Sequence, residues 1–338
     1  MKNLVSVVIP TYKGANKLES AIKSILNQTY TSIEIIVVDD NDPTSEERKG
    51  TQELMSKYNM PNIIYIQHER NKNGSAARNT GIRAAKGEFI CFLDDDDCYL
   101  PSRIEKSVAG LNKNQDFDAI YCSVVFTNVL NEVLGTVQAK KELVQKDILL
   151  NENIIGTGSN LFLRKESLDE IKGFDEGFRR HQDLEFLLRY LTKYKIINLD
   201  EVLIVKNINR TDNIPDYKNF IVIKELYWTK FKNVIERLND TEKTQFYGQE
   251  YATLLQAAVK TEDKLYIREA ITNLEKYRKL NIKEKIKVYL EVRPLIRNLA
   301  YKIFGLFSYL TKASYKKKRY SMLKKEIAES SILDRGNN

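Results

Sequence analysis

Four consecutive aspartates, Asp94 to Asp97, close the apolar run Glu88-Phe89-Ile90-Cys91-Phe92-Leu93. The run reads as a buried strand, so its end delivers four like charges to one place. Burying such a cluster without partners costs several kcal/mol per ion. A fold that contains it must leave it to water or set a cation among the carboxylates. Oxygen ligands of this hardness suit Mg2+ or Mn2+, and an ion held there attracts phosphate. An isolated acidic run is ordinarily a solvated surface loop. Here the hydrophobic strand before it and the polar motifs elsewhere favour a site.

The chain has 338 residues, enough for two domains, and its 42% apolar and 30% charged content is that of a soluble globular protein. Met1-Lys2-Asn3 leads straight into the strand-like Leu4–Ile9, with no cleavage site after it, so no signal peptide is expected. Cys91, Cys98 and Cys122 fit no metal or redox spacing; they read as small core residues in a reducing cytoplasm. Asn209-Arg210-Thr211 and Asn239-Asp240-Thr241 match glycosylation acceptors that a cytoplasmic protein does not use. The net charge of +8 is uneven, because thirteen Lys or Arg and only two Glu lie between Lys283 and Lys325. A slightly acidic front therefore carries a basic tail.

Strand and helix signals alternate over the first 120 or so residues. Leu4–Ile9, Ile33–Val38, Ile63–Ile66 and Phe89–Leu93 are short apolar runs. Between them, Leu18, Ala21, Ile22, Ile25 and Leu26 recur at helical spacing, and helices are expected over Thr51–Tyr58 and Ser75–Ala85. This βαβαβ order predicts an α/β fold with a parallel sheet and helices on both faces. Ligands of such sheets sit beyond the carboxyl ends of the strands, where Pro10-Thr11-Tyr12, Asp39-Asp40 and Asp94 to Asp97 all fall. Further strands are expected at Ala119–Val125, Val133–Val137, Asn160–Arg164 and Val202–Lys206, with helices at Lys165–Ile171 and Asp183–Tyr194. From Tyr217 onward only helical patterns occur. The expected division is residues 1–215 as the catalytic-type domain and residues 216–338 as a helical, basic C-terminal region.

Several elements, in order, carry a resemblance: Ser6-Val7-Val8-Ile9-Pro10-Thr11-Tyr12, Gln28-Thr29-Tyr30, Val38-Asp39-Asp40, Asn73-Gly74-Ser75-Ala76-Ala77-Arg78-Asn79-Thr80-Gly81, Leu93 to Asp97 with Pro101, Gly173-Phe174-Asp175 and His181-Gln182-Asp183. Over residues 3 to about 210 the chain resembles a family 2 glycosyltransferase with the GT-A fold, a Rossmann-like, mostly parallel sheet flanked by helices. The resemblance implies an inverting, metal-dependent enzyme. It would move a sugar from a nucleotide-sugar donor, read as a UDP-sugar, to a hydroxyl of a glycan or lipid-linked acceptor in cell-surface polysaccharide synthesis. Donor contacts are then expected at Pro10, Thr11, Tyr12, Asp40, Arg78, Asp94 and Asp95. Tyr12 offers an aromatic wall to the base and Asp40 an acceptor for its ring N–H. The alternatives are a turn aromatic and a cap on the next segment. Arg78, near a helix start, suits a diphosphate or a salt bridge with the acidic cluster.

The family's Asp-x-Asp motif maps onto Asp94-Asp95-Asp96, with Asp96 as the metal ligand for Mn2+ or Mg2+. Asp97 is expected to cap the next turn. Asp183 is the expected catalytic base; a helix cap is the structural alternative, and Glu185 is the alternative carboxylate. Gln182 replaces the Glu usual in the family, and Lys206-Asn207-Ile208-Asn209-Arg210 lacks a His common in relatives. Arg210 is therefore a candidate diphosphate contact, and His181 a candidate contact for acceptor or phosphate. Gly156-Thr157-Gly158-Ser159-Asn160 reads as an acceptor-side lining or an ordinary turn.

In the tail, Leu295, Leu299, Ile303, Leu306, Phe307 and Leu310 share one face, and Lys316-Lys317-Lys318-Arg319 follows. This suits an anionic membrane surface, at the inner face of the cell membrane for a cytoplasmic protein. The alternatives are packing on the catalytic domain or a homo-oligomer through the C-terminal helices. No base-reading motif points to nucleic acid. Two rivals remain at this level. A sugar-nucleotide pyrophosphorylase needs a Gly-rich basic loop after the first strand, which Pro10-Thr11-Tyr12-Lys13-Gly14 matches poorly. A non-catalytic, partner- or glycan-binding member of the fold does not need Asp96 and Asp183.

Overall fold

The computed structural model describes residues 3–128, 130, 132–139, 142–152, 158–207, 216–261 and 263–291. Strands Val5–Thr11 (β1), Ile33–Asp39 (β2), Ile63–Gln67 (β3) and Phe89–Phe92 (β4) alternate with helices Ala15–Leu26 (α1), Glu46–Met55 (α2) and Gly74–Ala84 (α3). Asp97–Tyr99 (β5), Arg103–Lys113 (α4), Ala119–Thr127 (β6), Val133–Val137 (β7) and Glu142–Leu143 (β8) follow. Next come Gln145–Leu150 (α5), Phe162–Arg164 (β9), Lys165–Glu170 (α6), Gln182–Tyr190 (α7) and Ile196–Asn207 (β10). The helices Tyr217–Lys230 (α8), Lys232–Ile235 (α9), Asp240–Thr261 (α10), Lys264–Glu275 (α11) and Ile282–Glu291 (α12) complete the described chain.

The strands join in one sheet of order β3-β2-β1-β4-β9-β6-β10-β5, with β7 on β6 and β8 on β10. β1 pairs in parallel with both β2 and β4, so the chain winds outward on one side of β1 and returns on the other. That reversal opens a crevice at the carboxyl ends of β1 and β4, which is where open α/β sheets bind ligands. β9 and β5 run antiparallel to their neighbours, making the sheet mixed though mostly parallel in its first half.

The strands read as continuous apolar runs because both faces are covered. Val8, Ile36, Val38, Ile90 and Phe92 belong to one core layer, and Val7, Ile9, Ile35, Val37 and Cys91 to the other, as a period of two requires. The second layer is closed by Leu18, Ala21, Ile22 and Ile25 of α1 and by Ile104, Val108 and Leu111 of α4. On the first, α3 lies unusually close to β1. A Cβ added at Gly81 would come within 2.2 Å of Val8 Cγ1, so only a glycine lets the helix backbone settle there. Arg78, one turn earlier on α3, is thereby held near the strand ends.

Two compact units divide the described residues. One comprises those up to residue 207 together with 221–249; the other comprises 216–220 and 250–291. Residues 221–249 therefore group with the sheet, and the division expected at 215/216 does not mark the edge of the unit. The reason is apolar: Tyr227, Phe231, Ile235, Leu238 and Phe246 share the core of Phe174, Phe186 and Tyr190. In the second unit Ile267, Ala270 and Leu274 of α11 are buried, and Tyr217 stacks on Tyr266 with ring centroids 5.0 Å apart. β10 is longer than the expected Val202–Lys206, because polar Asn198, Asp200 and Glu201 mask its first half. No helix among the described residues is long and apolar enough to cross a membrane. The apolar and basic tail sequence from 294 lies outside them.

Candidate active site

The crevice is a cleft of about 390 Å3. Pro10, Thr11 and Tyr12 line it from the end of β1, and Asp40 from the end of β2. Arg78 contributes from α3, and Asp94, Asp95 and Asp96 from beyond β4. Asn71, Asn73, Arg179 and Gln182 complete the polar part of the wall. Tyr12 is 47% exposed, and Lys13 Nζ lies over its ring, 5.2 Å from the centroid.

The four aspartates do not act as one patch, because each has a different partner. Arg78 Nη2 donates to Asp94 Oδ1 at 2.6 Å, and Lys206 Nζ lies 3.9 Å from Asp94 Oδ2. Burial alone would raise the Asp94 carboxyl, but the Arg78 and Lys206 charges outweigh it and hold it below the usual range. Asp95 Oδ2 accepts from Thr11 Oγ1 at 2.6 Å. Burial, against that hydrogen bond and with the charges of Asp96 and Asp94 adding, pushes Asp95 up to about 6. Gly14 makes room for it: a Cβ there would lie 1.8 Å from Asp95 Oδ2. Asp96 has 30% of its side chain exposed, against 26% for Asp94, and Lys17 Nζ lies 3.5 Å away.

Asp97 departs from expectation. It does not cap a turn; it is a fully buried residue of β5, bonded to Ser159 Oγ at 2.7 Å and paired with Lys206 Nζ at 3.3 Å. Burial pushes its carboxyl up. Ser159 also accepts from Asp94 N at 2.9 Å, and Asn160 bonds the Cys122 backbone on both sides. Ser159 and Asn160 are wholly buried, so they clasp the aspartate loop and do not line an acceptor surface.

Asp40 is 2% exposed, and its two oxygens already meet four groups. His68 Nδ1 lies 2.7 Å and Lys72 N 2.8 Å from Oδ1; Asn71 Nδ2 and Asn73 N each lie 2.9 Å from Oδ2. A carboxylate offers about four lone-pair sites. Accepting a base N–H therefore means exchanging one of these bonds. Asn73, at φ 86, then caps α3 by accepting from Ser75 N and Ala76 N. Beneath it, Asp39 is sealed against Arg48 Nε at 3.0 Å and accepts from Tyr65 OH at 2.6 Å.

Residues 6–172 match the profile described as glycosyl transferase family 2. An uncharacterised glycosyltransferase of Methanocaldococcus jannaschii is 32% identical over 234 residues, which span 67% of this chain and 77% of that protein. The chain belongs to glycosyl transferase family 2. A family member of Escherichia coli, provisionally named for colanic acid biosynthesis, is 30% identical over 198 residues, covering 57% of this chain and 69% of its own. Among solved structures, S. aureus TarS 1-349 in complex with UDP-GlcNAc aligns with a TM-score of 0.54 at 16% identity, over 81% of this chain and 91% of that one. The mannosyltransferase PcManGT of Pyrobaculum calidifontis, in complex with GDP-Man and Mn2+, aligns with a TM-score of 0.54 at 15% identity, over 90% and 88%. These likenesses establish the GT-A fold.

In this glycosyltransferase Asp183 sits in the first turn of α7 and is half-buried, with Oδ1 accepting from Leu184 N at 3.0 Å. Its neighbour Gln182 lines the cleft and accepts from Arg78 Nη1 at 3.1 Å. Glu185 does not reach the cleft. It is wholly buried between Arg189, with Nε 2.6 Å from Oε1, and Lys230, with Nζ 2.7 Å from Oε1. A carboxylate so enclosed is a structural ion-pair partner and has no access to an acceptor hydroxyl. Arg210 lies outside the described residues. Lys206, Lys17, His68 and the Asp39–Arg48 pair were not singled out from sequence. A lone basic residue in a strand or helix gives no local sign of the carboxylate it meets.

His181 caps α7 from a left-handed conformation, φ 56. Burial first, then the charges of Lys224 and Arg180, push its imidazole down to about 3. The unfolded chain, with a His near 6.5, takes up a proton that the folded chain refuses. Stability is therefore lost as pH falls from about 6.5 toward 3. Urea denaturation at pH 7 and pH 5 should show a larger acid loss for the wild type than for His181→Asn, since Asn tolerates the left-handed backbone. Equal losses would mean that His181 does not carry this dependence.

Proposed function

We propose that the enzyme transfers a sugar with inversion from a nucleotide-sugar, read as a UDP-sugar, to a hydroxyl of a glycan or lipid-linked acceptor in cell-surface polysaccharide synthesis. The observation that carries this reading is the cleft at the strand-order reversal, where the exposed Tyr12 ring, the Arg78 guanidinium and the carboxylates of Asp40, Asp94, Asp95 and Asp96 meet. Tyr12 would cover the base. The Asp40 loop would hold the nucleoside, and Arg78 would keep Asp94 ionised and in place.

The donor set fits a hard divalent ion. Among the described residues no three His, Cys, Asp or Glu side chains form a cage. Mg2+-type sites instead use one or two carboxylates together with substrate phosphates. Burial first, and then the charges of Asp96 and Asp94, raise Asp95, and a cation relieves that repulsion. Asp96, with Asp95 behind it, would hold Mn2+ or Mg2+. When bound, the ion offsets the negative charge on the departing nucleoside diphosphate. Asp183 would accept the proton of the attacking hydroxyl at a carboxylate oxygen. One base and one displacement give inversion at the anomeric carbon.

Thermal unfolding with UDP or GDP, each with and without Mn2+, tests the donor and the metal together. A ligand at about a hundred times its Kd adds about 2.7 kcal/mol, which is roughly 5–10 °C for a unit of this size. UDP with Mn2+ should give the larger rise, and Asp96→Asn should lose the part that depends on Mn2+. A metal increment undiminished in Asp96→Asn would remove Asp96 from the site. A larger rise with GDP would overturn the choice of uridine.

A further inference from the structure

Helix α12 carries apolar side chains on its outer side. Asn281 and Glu284 fix its start as a capping box: Asn281 Oδ1 accepts from Glu284 N at 2.9 Å, and Glu284 Oε2 accepts from Asn281 N at 2.8 Å. Arg278 holds the same carboxylate, with Nη2 2.6 Å from Oε1 and Nη1 2.9 Å from Oε2. The Glu284 side chain is 13% exposed, so it marks the inner side of the helix. Ile282 and Ile286, one turn apart, fall roughly halfway round the helix from it. They are 76% and 52% exposed. A surface helix ordinarily does the reverse, burying its apolar stripe and showing its charges. Lysines surround the two isoleucines. From Lys276 to Lys287 six cations meet one carboxylate, and Arg278 neutralises that one. Lys276, Lys279, Lys283, Lys285 and Lys287 are exposed, and none pairs with an acidic side chain among the described residues.

Exposed isoleucines set among unpaired lysines match one kind of partner in both respects. An anionic lipid surface draws the ammonium groups to its headgroups and takes up the isoleucines at the boundary with its acyl chains. A second copy of this chain, meeting the patch face to face, would set five lysines against five. A nucleic acid answers the charge but leaves the isoleucines in water. We propose that α12 lies on an anionic membrane surface, with Ile282 and Ile286 embedded and Lys279, Lys283, Lys285 and Lys287 at the headgroups. None of these residues lines the cleft, so the proposal does not depend on the donor reading. Such attachment concentrates the enzyme at a surface that can carry a lipid-linked acceptor.

Co-sedimentation of the full chain with vesicles of phosphatidylcholine, alone or mixed with phosphatidylglycerol, tests both halves of the proposal. The wild type should bind the mixed vesicles at least about tenfold more strongly, and high salt should remove most of the difference by screening. Changing Lys283, Lys285 and Lys287 together to Gln should weaken binding to the mixed vesicles by about a hundredfold, roughly fivefold for each charge. Ile282→Ser with Ile286→Ser leaves the charge unchanged and should weaken it by about tenfold or more. All five side chains are exposed, so both variants should fold and keep wild-type UDP affinity. With Ile286→Trp, brominated lipid should quench fluorescence beyond that of Trp228, the chain's one tryptophan. Equal binding to neutral and anionic vesicles, or wild-type binding in either multiple variant, overturns the proposal. Unchanged vesicle binding together with loss of a dimer in the isoleucine variant, read by sedimentation equilibrium, would assign the face to a second copy instead.

Discussion

Asp183→Asn is expected to lower turnover by about 10²–10⁴-fold, the usual contribution of a positioned general base, with little change in UDP affinity. The substitution keeps the shape and the acceptor oxygen that meets Leu184 N, so the start of α7 should stay folded. The loss should appear in kcat, because the interaction removed is one made as the acceptor proton leaves. Gln182 sharpens the expectation. With an amide at position 182, Asp183 has no acidic residue directly before it to take over the proton. Glu185 is sealed by Arg189 and Lys230 and offers no substitute. Quenched-flow measurement of single turnovers, with donor preloaded, separates this step from binding. Wild-type turnover in Asp183→Asn would remove the base assignment, and loss of UDP binding would mark the residue as structural.

Arg48→Met is expected to destabilise the protein by about 3–5 kcal/mol, the cost of removing one partner from a buried ion pair. Asp39 is wholly buried and Arg48 is 3% exposed, so no water is at hand to replace the guanidinium. Nη2 of Arg48 also donates to the carbonyls of Asn41 and of His68, the latter at 2.8 Å. One side chain thus ties the turn after β2 to the turn after β3, and those two turns carry Asp40 and its partners. Urea denaturation should show the midpoint fall. The double variant Asp39→Asn with Arg48→Met should lose less than the sum of the two single changes, because the uncompensated charge is gone. The single variant should also weaken UDP binding, since Asp40 loses its support. An unchanged midpoint would show that the pair contributes nothing net.

Much of this protein was legible in local pattern. Ile33–Val38 and Phe89–Leu93 announce buried parallel strands because an unbroken apolar run of that length suits a sheet covered on both faces. The spacing of Leu18, Ala21, Ile22 and Ile25 announces the helix that covers one of them. Tyr12, Asp40, Arg78 and Asp94 to Asp96 fall at strand and helix ends, and the sheet's winding brings them to one cleft. Short or masked elements were missed for equally local reasons. β5 has three residues and begins inside the aspartate run, while the first half of β10 alternates with polar residues.

Sequence alone determined the family, the winding of the sheet and the identity of the carboxylates at its mouth. These depend on periodicity and on motifs whose members are close in the chain. Tertiary structure alone decided what each charge is for. Lys206 reaches Asp97 across 109 positions, Lys230 comes from α8 to seal Glu185, and four groups from residues 68–73 fill Asp40. An ion pair or hydrogen bond acts over a few ångströms in space. Its partners can lie anywhere in the sequence, so only the packed chain shows which carboxylates are occupied and which face the cleft.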